Sequence, residues 1–188
     1  GYLSTRESGG IIYWNYAPGQ FIQNGGTVDA KQFHSSSTAN SLISFTQTGG
    51  TLLLRGRFQR TTTLFTPDGL KNAPLNNVRA ANGVDGTAGS FSITNSGGAN
   101  GYSMSGGTIR IFDVCGTSSP TYAFQVACSA SDINVTGGTV EIIPTTGSIP
   151  ANDAEYLINT TAQFNNLIIN RASGSASVQL NTNGITVL

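Results

Sequence analysis

The feature that most constrains the fold of this chain is a short phrase that returns four times. Each copy has an apolar residue, a few polar residues, Gly-Gly-Thr and then a strand-like segment, and the copies read FIQNGGTV from residue 21, FTQTGGTL from 45, YSMSGGTI from 102 and INVTGGTV from 133. Their first glycines lie 24, 57 and 31 residues apart. One unit of 24 to 31 residues, called a rung below, is therefore expected to recur, with two rungs in the wide interval. Self-similarity on this scale is the signature of a solenoid.

The residues around each Gly-Gly-Thr alternate in a way that predicts strands with one buried face. Downstream, two apolar positions per copy share the predicted inner face: Val28, Ala30, Leu52, Leu54, Ile109, Ile111, Val140 and Ile142. Upstream, two further columns are predicted to point inward: Phe21, Phe45, Tyr102 and Ile133, then Gln23, Gln47, Met104 and Val135. The residues predicted to point outward into solvent between the downstream columns are Asp29, Leu53, Arg110 and Glu141.

The paired glycines lie between the two halves of each phrase and supply backbone angles that residues with a Cβ avoid. They are the predicted corners of a coil: Gly25, Gly26, Gly49, Gly50, Gly106, Gly107, Gly137 and Gly138. A meander of hairpins would show the same alternation, but hairpin loops usually have about two to five residues and these copies are a full rung apart. The pattern favours an all-β chain folded as a right-handed parallel β-helix, a solenoid with irregular rungs. An antiparallel β-sandwich is the alternative.

The chain of 188 residues suits one domain, and we expect residues 1–188 to form a single β-solenoid domain. Both ends consist of strand-like sequence, which predicts that it is a fragment of a longer chain. Residues 66–90 are rich in Asn, Ala and Gly and poor in large apolar side chains, so they are expected to form a loop excursion from the coil. Loops on a rigid scaffold are where binding residues concentrate.

Charge and hydropathy exclude some partners. Nine basic residues balance nine acidic ones, so no net field attracts nucleic acid. No apolar run approaches the roughly 20 residues that a membrane-spanning helix needs. The expected partners are therefore neither nucleic acids nor the interior of a membrane.

The two cysteines, Cys115 and Cys128, are both predicted to point toward the core. A disulfide or two buried thiols would fit there. In an extracellular chain, two such cysteines would favour the disulfide.

Candidate binding and catalytic residues are few. Tyr13, Trp14 and Tyr16 form the best candidate for a platform on which a sugar could stack, although closing the end of a core is the commoner role of such residues. Parallel β-helices that act on polysaccharides need clustered carboxylates, and Asp29 and Glu141 form no acidic pair at fixed spacing. The single histidine, His34, is expected on a Ser-rich loop. No catalytic residue, metal ligand or cofactor is predicted.

The last part of the chain carries a resemblance to a known class of proteins. Residues 164–180 read FNNLIINRASGSASVQL and residues 184–188 read GITVL. Together with the Gly-Gly-Thr phrases, this text resembles the repeats of very large, strand-rich surface proteins that Bacteroidetes export through type IX secretion, gliding-motility adhesins among them. In that family another strand normally follows the GITVL phrase, so the stop at Leu188 departs from the pattern.

The resemblance implies an extracellular, cell-surface protein with a structural and adhesive role and no transferable catalytic residue. Its partners would be a surface polysaccharide or an abiotic surface, and the secretion machinery during export. Two other functions stay open at this point: a carbohydrate-active β-helix enzyme of the lyase or hydrolase kind, and a glycan-binding module without catalysis.

Overall fold

The computed structural model describes residues 1–4, 11–14, 19–35, 43–56, 90–94, 101–112, 122–144, 155–170, 177–180 and 184–188. In these ranges the chain is all-β with parallel sheets, as the alternation predicts, and a short 3-10 turn lies at Ala130–Asp132. The strands are β1 Tyr2–Ser4, β2 Ile11–Trp14, β3 Gly19–Gln23, β4 Thr27–Ala30, β5 Gln32–Ser35, β6 Ile43–Gln47, β7 Thr51–Leu54, β8 Phe91–Thr94, β9 Gly101–Ile111, β10 Tyr122–Ala127, β11 Ile133–Ile142, β12 Glu155–Thr160, β13 Asn166–Ile169 and β14 Ser177–Leu180.

The strands form two sheets, and the chain passes alternately from one to the other. The first sheet has the order β1-β4-β7-β9-β11-β13, with β3 paired to β6 and β6 to β9. The second has the order β14-β12-β10-β8-β5-β2. Every pairing among the described strands is parallel, so the antiparallel sandwich is wrong. One rung is one passage through both sheets.

The wide interval between the second and third phrases holds one rung rather than two. β7 pairs directly with β9, where Thr51 lies opposite Thr108, and β6 pairs directly with β9, where Phe45 lies opposite Tyr102. The expectation of two rungs was wrong because spacing alone does not distinguish an additional rung from a longer connection. Residues 57–89, with most of the predicted excursion, lie outside the described ranges. Ser90 leads into β8, and its carbonyl accepts a hydrogen bond from the Phe33 amide (2.9 Å).

Parallel pairing brings equivalent residues of successive rungs together, and the predicted inward columns are confirmed. The registers place Val28 opposite Leu52, Leu52 opposite Ile109, and Val140 opposite Ile109. Nearly all members of the four columns are buried, and the remainder are half-buried at the ends of the columns.

Aromatic rings from the two sheets form the centre of the core. One column comes from the first sheet and one from the second, and within each the rings stack in parallel with centroids 5.0 to 5.6 Å apart. Rings of opposite columns meet edge to face. Both geometries are favourable for aromatic pairs, each contributing about 0.5–1.5 kcal/mol beyond the burial of apolar area. The columns are Phe21, Phe45 and Tyr102, and Phe33, Phe91 and Phe124.

The two predicted inward glutamines also stack. The Gln47 side-chain amide donates hydrogen bonds to Gln23 Oε1 (3.2 Å) and to the Thr108 carbonyl (3.3 Å). The Gln23 amide donates to the Thr51 carbonyl (3.0 Å). These hydrogen bonds satisfy the side-chain NH₂ groups of Gln23 and Gln47, which lowers the cost of placing polar side chains in a core column.

The two glycines of each phrase are needed for different reasons. The second glycine has a positive φ in all four copies, 68° at Gly26 and 79° at Gly107 for example, and residues with a Cβ rarely adopt that angle. The first glycine lies against the backbone of the preceding rung: a Cβ on Gly106 would stand 2.3 Å from the Thr48 carbonyl oxygen. At Gly25 a Cβ would meet nothing within 4 Å.

This difference gives a matched pair of variants. We expect Gly106→Ala to lower the free energy of unfolding by about 1–3 kcal/mol, because the added methyl group forces two rungs apart. Gly25→Ala, the same substitution in open space, is expected to change it by less than about 0.5 kcal/mol. Urea unfolding of both variants measures the difference. Equal stabilities would contradict the close approach of rungs at this corner.

Candidate functional site

The outward side of the first sheet carries a regular surface of hydroxyl and amide groups. Thr46 lies between the inward-facing Phe45 and Gln47, and alternation directs its side chain outward. Its register partners are Ile22 in β3 and Ser103 in β9. Asn134 follows opposite Ser103 in β11.

Two further columns flank the Gly-Gly pairs. The threonines of the four Gly-Gly-Thr phrases form one column, in register from β4 to β11. The column upstream of the glycines is exposed in all four rungs. We call these outward residues the hydroxyl face: Asn24, Thr27, Thr46, Thr48, Thr51, Ser103, Ser105, Thr108, Asn134, Thr136 and Thr139.

The chemistry available to the hydroxyl face is hydrogen bonding. All its members are uncharged, and equivalent groups repeat at the spacing of adjacent strands, about 4.8 Å. Thr48 Oγ1 donates a hydrogen bond to Asn24 Oδ1 along one column (2.9 Å), which shows that neighbouring rungs orient each other's side chains. A ligand that offers its own regular hydroxyl groups would match such a surface.

Farther along the same strands, three of the four residues predicted to point into solvent are buried, so the expectation was wrong for Asp29, Leu53 and Glu141. Asp29 is only 4% exposed. Its carboxylate accepts two hydrogen bonds from Arg55, one from Nε (2.6 Å) and one from Nη2 (2.7 Å). The Arg55 guanidinium also lies 5.7 Å from the centre of the Phe112 ring. Phe112 in turn belongs to a small buried cluster with Leu53 and Ile143.

The second carboxylate of this column is also paired. Glu141 is 8% exposed and accepts a hydrogen bond from Arg110 Nε (2.6 Å) and another from the Asn170 side-chain amide (3.2 Å). Sequence reasoning placed Arg110 in the same column but did not identify the pair. Asp29 and Glu141 therefore hold strands together. Within the described ranges, no three His, Cys, Asp or Glu side chains gather where they could hold a metal ion.

The predicted aromatic platform is only partly described. Tyr13 and Trp14 end β2, opposite His34 and Ser35 of β5. Tyr16 lies outside the described residues, so sugar stacking on this group stays a prediction. His34 is half-buried within β5, and its assignment to a Ser-rich loop was wrong. β5 has only four residues, which is too few for an alternation of apolar and polar side chains to be recognised in the sequence.

Cys128 is buried, as predicted, and its thiol is unbonded in the structure. Burial and, secondarily, the negative charge of Asp132 raise the pKa of this thiol to about 11. Cys115 lies outside the described residues, so the Cys115–Cys128 disulfide stays a prediction.

Comparisons with known proteins give no relative: no protein-family model, curated protein or solved structure matches this chain. In the part of the chain that the structure describes, no helix has the length and apolar character needed to span a membrane.

The two ion pairs differ in burial, and we expect them to differ in strength. Arg55 and Asp29 side chains are 12% and 4% exposed, whereas Arg110 is 37% exposed. Asp29→Ala should lower the free energy of unfolding by about 3–5 kcal/mol, because it leaves a buried guanidinium unpaired. Glu141→Ala, which leaves the more exposed Arg110 guanidinium in contact with water, should lower it by about 1 kcal/mol.

Double-mutant cycles, Asp29→Ala with Arg55→Ala and Arg110→Ala with Glu141→Ala, separate the pair energies from other losses. A coupling energy for Asp29–Arg55 no larger than that for Arg110–Glu141 would contradict this assignment.

The raised pKa of Cys128 predicts its reactivity with pH. In a Cys115→Ser variant, the alkylation rate of native Cys128 should keep rising about tenfold per pH unit from pH 8 to pH 10, because the thiolate is the nucleophile and stays a minor species. In urea the rate should level off near pH 9, as for an ordinary thiol. Mass spectrometry after timed iodoacetamide exposure gives both profiles. If the alkylation rate of the native protein levels off at the same pH as that of the unfolded protein, the pKa of Cys128 is not raised and the prediction is contradicted.

Proposed function

We propose that this chain is a structural and adhesive segment of a secreted cell-surface protein, which presents the hydroxyl face and its loops to a glycan or an abiotic surface. The observation that carries the proposal is the in-register, uncharged hydroxyl face on a stack of parallel strands. A regular array of hydrogen-bonding groups suits a ligand that is itself regular, such as a polysaccharide chain.

The proposed scaffold is a right-handed parallel β-helix. Its support is the alternation of the chain between two parallel sheets and the register that stacks like residues in columns. The right-handed sense follows from the strong preference for right-handed crossovers between parallel strands. Because each rung contacts its neighbours along its whole length, such a stack would be a stiff rod, which suits a protein that must hold a surface away from a cell.

The proposed location is the cell surface, with export by type IX secretion and a role in adhesion of the gliding-motility kind. The low charge, 10% of residues, is consistent with this. The specific support is the resemblance of the Gly-Gly-Thr phrases and residues 164–188 to adhesin repeats. Because a resemblance is not a binding measurement, the adhesive role is tested below by direct binding.

The ion pairs weigh against the carbohydrate-active enzyme as an alternative. Hydrolysis of a glycosidic bond commonly uses two carboxylates flanking the bond. Asp29 and Glu141, the carboxylates of the repeat strands, are instead buried against arginines. A non-catalytic glycan-binding module remains close to the proposal, and it differs in placing the contact on Tyr13, Trp14 and Tyr16.

A charge-insertion variant tests the hydroxyl face. The purified protein is expected to co-sediment with insoluble cellulose or to adsorb to glass beads. The variant Thr48→Glu/Ser105→Glu/Thr136→Glu, altered only at exposed positions, should reduce retention at least tenfold, because like charges on adjacent rungs repel each other and break the array of neutral groups.

The matched control is Ala127→Glu/Ser129→Glu/Gln179→Glu, which adds the same three charges at exposed positions outside the face. It should bind like the unaltered protein. Failure of the unaltered protein to bind either material would contradict the adhesive proposal. Normal binding by the triple variant together with loss in Trp14→Ala would move the contact to the aromatic platform.

A further inference from the structure

The hydroxyl face continues across the glycine pairs. β9 and β11 pass through their glycines without interruption, over Gly101–Ile111 and Ile133–Ile142. β6 and β7 lie on the two sides of one glycine pair, and both pair with β9. The second glycine has a similar φ in each rung, 68°, 78°, 79° and 86°, so any step in the surface there is repeated from rung to rung. The three outward columns, which contain Thr46, Thr48 and Thr51, therefore lie side by side in one sheet.

The hydroxyl face is about as wide as it is long. Thr46 and Thr51 are five residues apart, which at a rise of about 3.3 Å per residue gives a width of up to about 17 Å. Four rungs at a spacing of about 4.8 Å give a length of about 14 Å. A straight line along one column meets at most four of the eleven members, and a line along one rung meets three. All eleven members are reached only by a ligand that extends in two dimensions.

The number of simultaneous contacts decides which ligand the face can hold. Each hydrogen bond to a ligand replaces one to water, so its net contribution is small. Association has a fixed cost in translational and rotational freedom that is several times larger, and a flexible chain loses conformational freedom as well. Three or four hydrogen bonds to one dissolved chain would barely offset these costs. Eleven hydrogen bonds to a rigid surface would exceed them.

The hydroxyl face is also neutral and pre-organised. None of its eleven members is charged, aromatic or buried. Seven are threonines, whose β-branched side chains have few rotamers, and Thr48 is held further by its hydrogen bond to Asn24 (2.9 Å). The amides of Asn24 and Asn134 both donate and accept hydrogen bonds. This chemistry matches a neutral ligand rich in hydroxyl groups, and it offers no aromatic ring on which a single sugar could stack.

We propose that the ligand of the hydroxyl face is the ordered surface of a solid, neutral polysaccharide, such as crystalline cellulose, and not a single dissolved chain. The inference rests on the proposed adhesive function and specifies its ligand. Chains packed side by side in such a solid present their hydroxyl groups in rows over an area. Because these chains are already fixed in place, they lose little conformational freedom on binding. The contact includes all three columns at once.

The first experiment offers the protein one polymer in three physical states: crystalline cellulose, acid-swollen amorphous cellulose and soluble cellohexaose. Binding isotherms should give a Kd at least about tenfold lower on the crystalline than on the amorphous solid, since only the former engages many contacts together. Cellohexaose at about 1 mM should not displace the protein from the crystalline solid.

The possible failures of this experiment are distinguishable. Equal Kd values on the two solids, or displacement by cellohexaose, would overturn the inference and leave the adhesive function standing. Retention on glass without retention on cellulose would do the same. Absence of retention on both cellulose and glass would overturn the adhesive function together with the inference.

A second experiment tests the width of the contact with single charges on either side of the middle column. Ser103→Glu in the first column and Thr108→Glu in the third alter half-buried positions of β9. Each variant should weaken binding to crystalline cellulose by about fivefold or more, because a charge enters the contact and loses its hydration there. Ala127→Glu, which adds one charge at an exposed position outside the face, should bind like the unaltered protein.

Circular dichroism confirms that each variant is folded. If a glutamate variant does not fold, Ser103→Ala and Thr108→Val, which remove only the hydroxyl groups, replace the pair and should weaken binding in the same direction. An effect confined to one of the two columns would show a contact one chain wide and overturn the inference.

Discussion

The structure depends on one constraint: each strand pairs in parallel with its equivalent one rung away, so like residues lie directly on top of each other. This arrangement stabilises side chains that interact favourably with an identical or similar side chain on the next rung. Aromatic rings stack at 5.0 to 5.6 Å in two columns, and Gln23 and Gln47 bond to each other in a third. The glycine pairs follow from the same constraint, because backbones that stack this closely leave no room for a Cβ at Gly106.

The constraint is unfavourable for charges, since identical charges on adjacent parallel strands repel each other. The outward column shows how the chain avoids this. In this column the acidic Asp29 is followed by the apolar Leu53, the basic Arg110 and the acidic Glu141. The two charged residues that lie next to each other in it, Arg110 and Glu141, therefore have opposite signs. Asp29 finds its partner diagonally, in Arg55. A chain with this register tolerates few charged residues, which accounts for their low proportion of 10% against about a quarter in typical domains.

The sequence was sufficient to predict an all-β chain and the inward columns of the first sheet, because the Gly-Gly-Thr phrase marks the register of each copy. The second sheet has no such marker. The column of Phe33, Phe91 and Phe124 was therefore not recognised as a unit, although the three residues are as regular in the structure as their partners in the first sheet. The number of rungs between residues 51 and 108 was predicted wrongly for a similar reason, since only pairing distinguishes a rung from a long connection.

The candidate sites were less predictable. Asp29 and Glu141 were assigned to solvent because alternation gives the side of a sheet on which a residue lies but not what covers it. Arg55, which pairs with Asp29, and Asn170, which adds a hydrogen bond to Glu141, both lie outside the repeated phrase. Arg110, the ionic partner of Glu141, lies in the same column, but the alternation does not show that the two side chains meet. The hydroxyl face was not predicted, because the outward column considered from the sequence was the mixed one downstream of the threonines, whereas the matching neutral columns lie upstream of the glycines.

The most direct test of the account is the hydrogen bond from the Thr108 amide to the Gly50 carbonyl, which joins residues far apart in sequence at 2.9 Å. Scalar coupling through this bond, between Thr108 15N and Gly50 13C′, can be measured by NMR on the labelled protein. The account predicts this coupling, and an equivalent one from Thr51 to Gly26. Coupling of the Thr108 amide to a carbonyl within residues 57–89 would show an intervening rung and contradict the stacking register on which the structure depends.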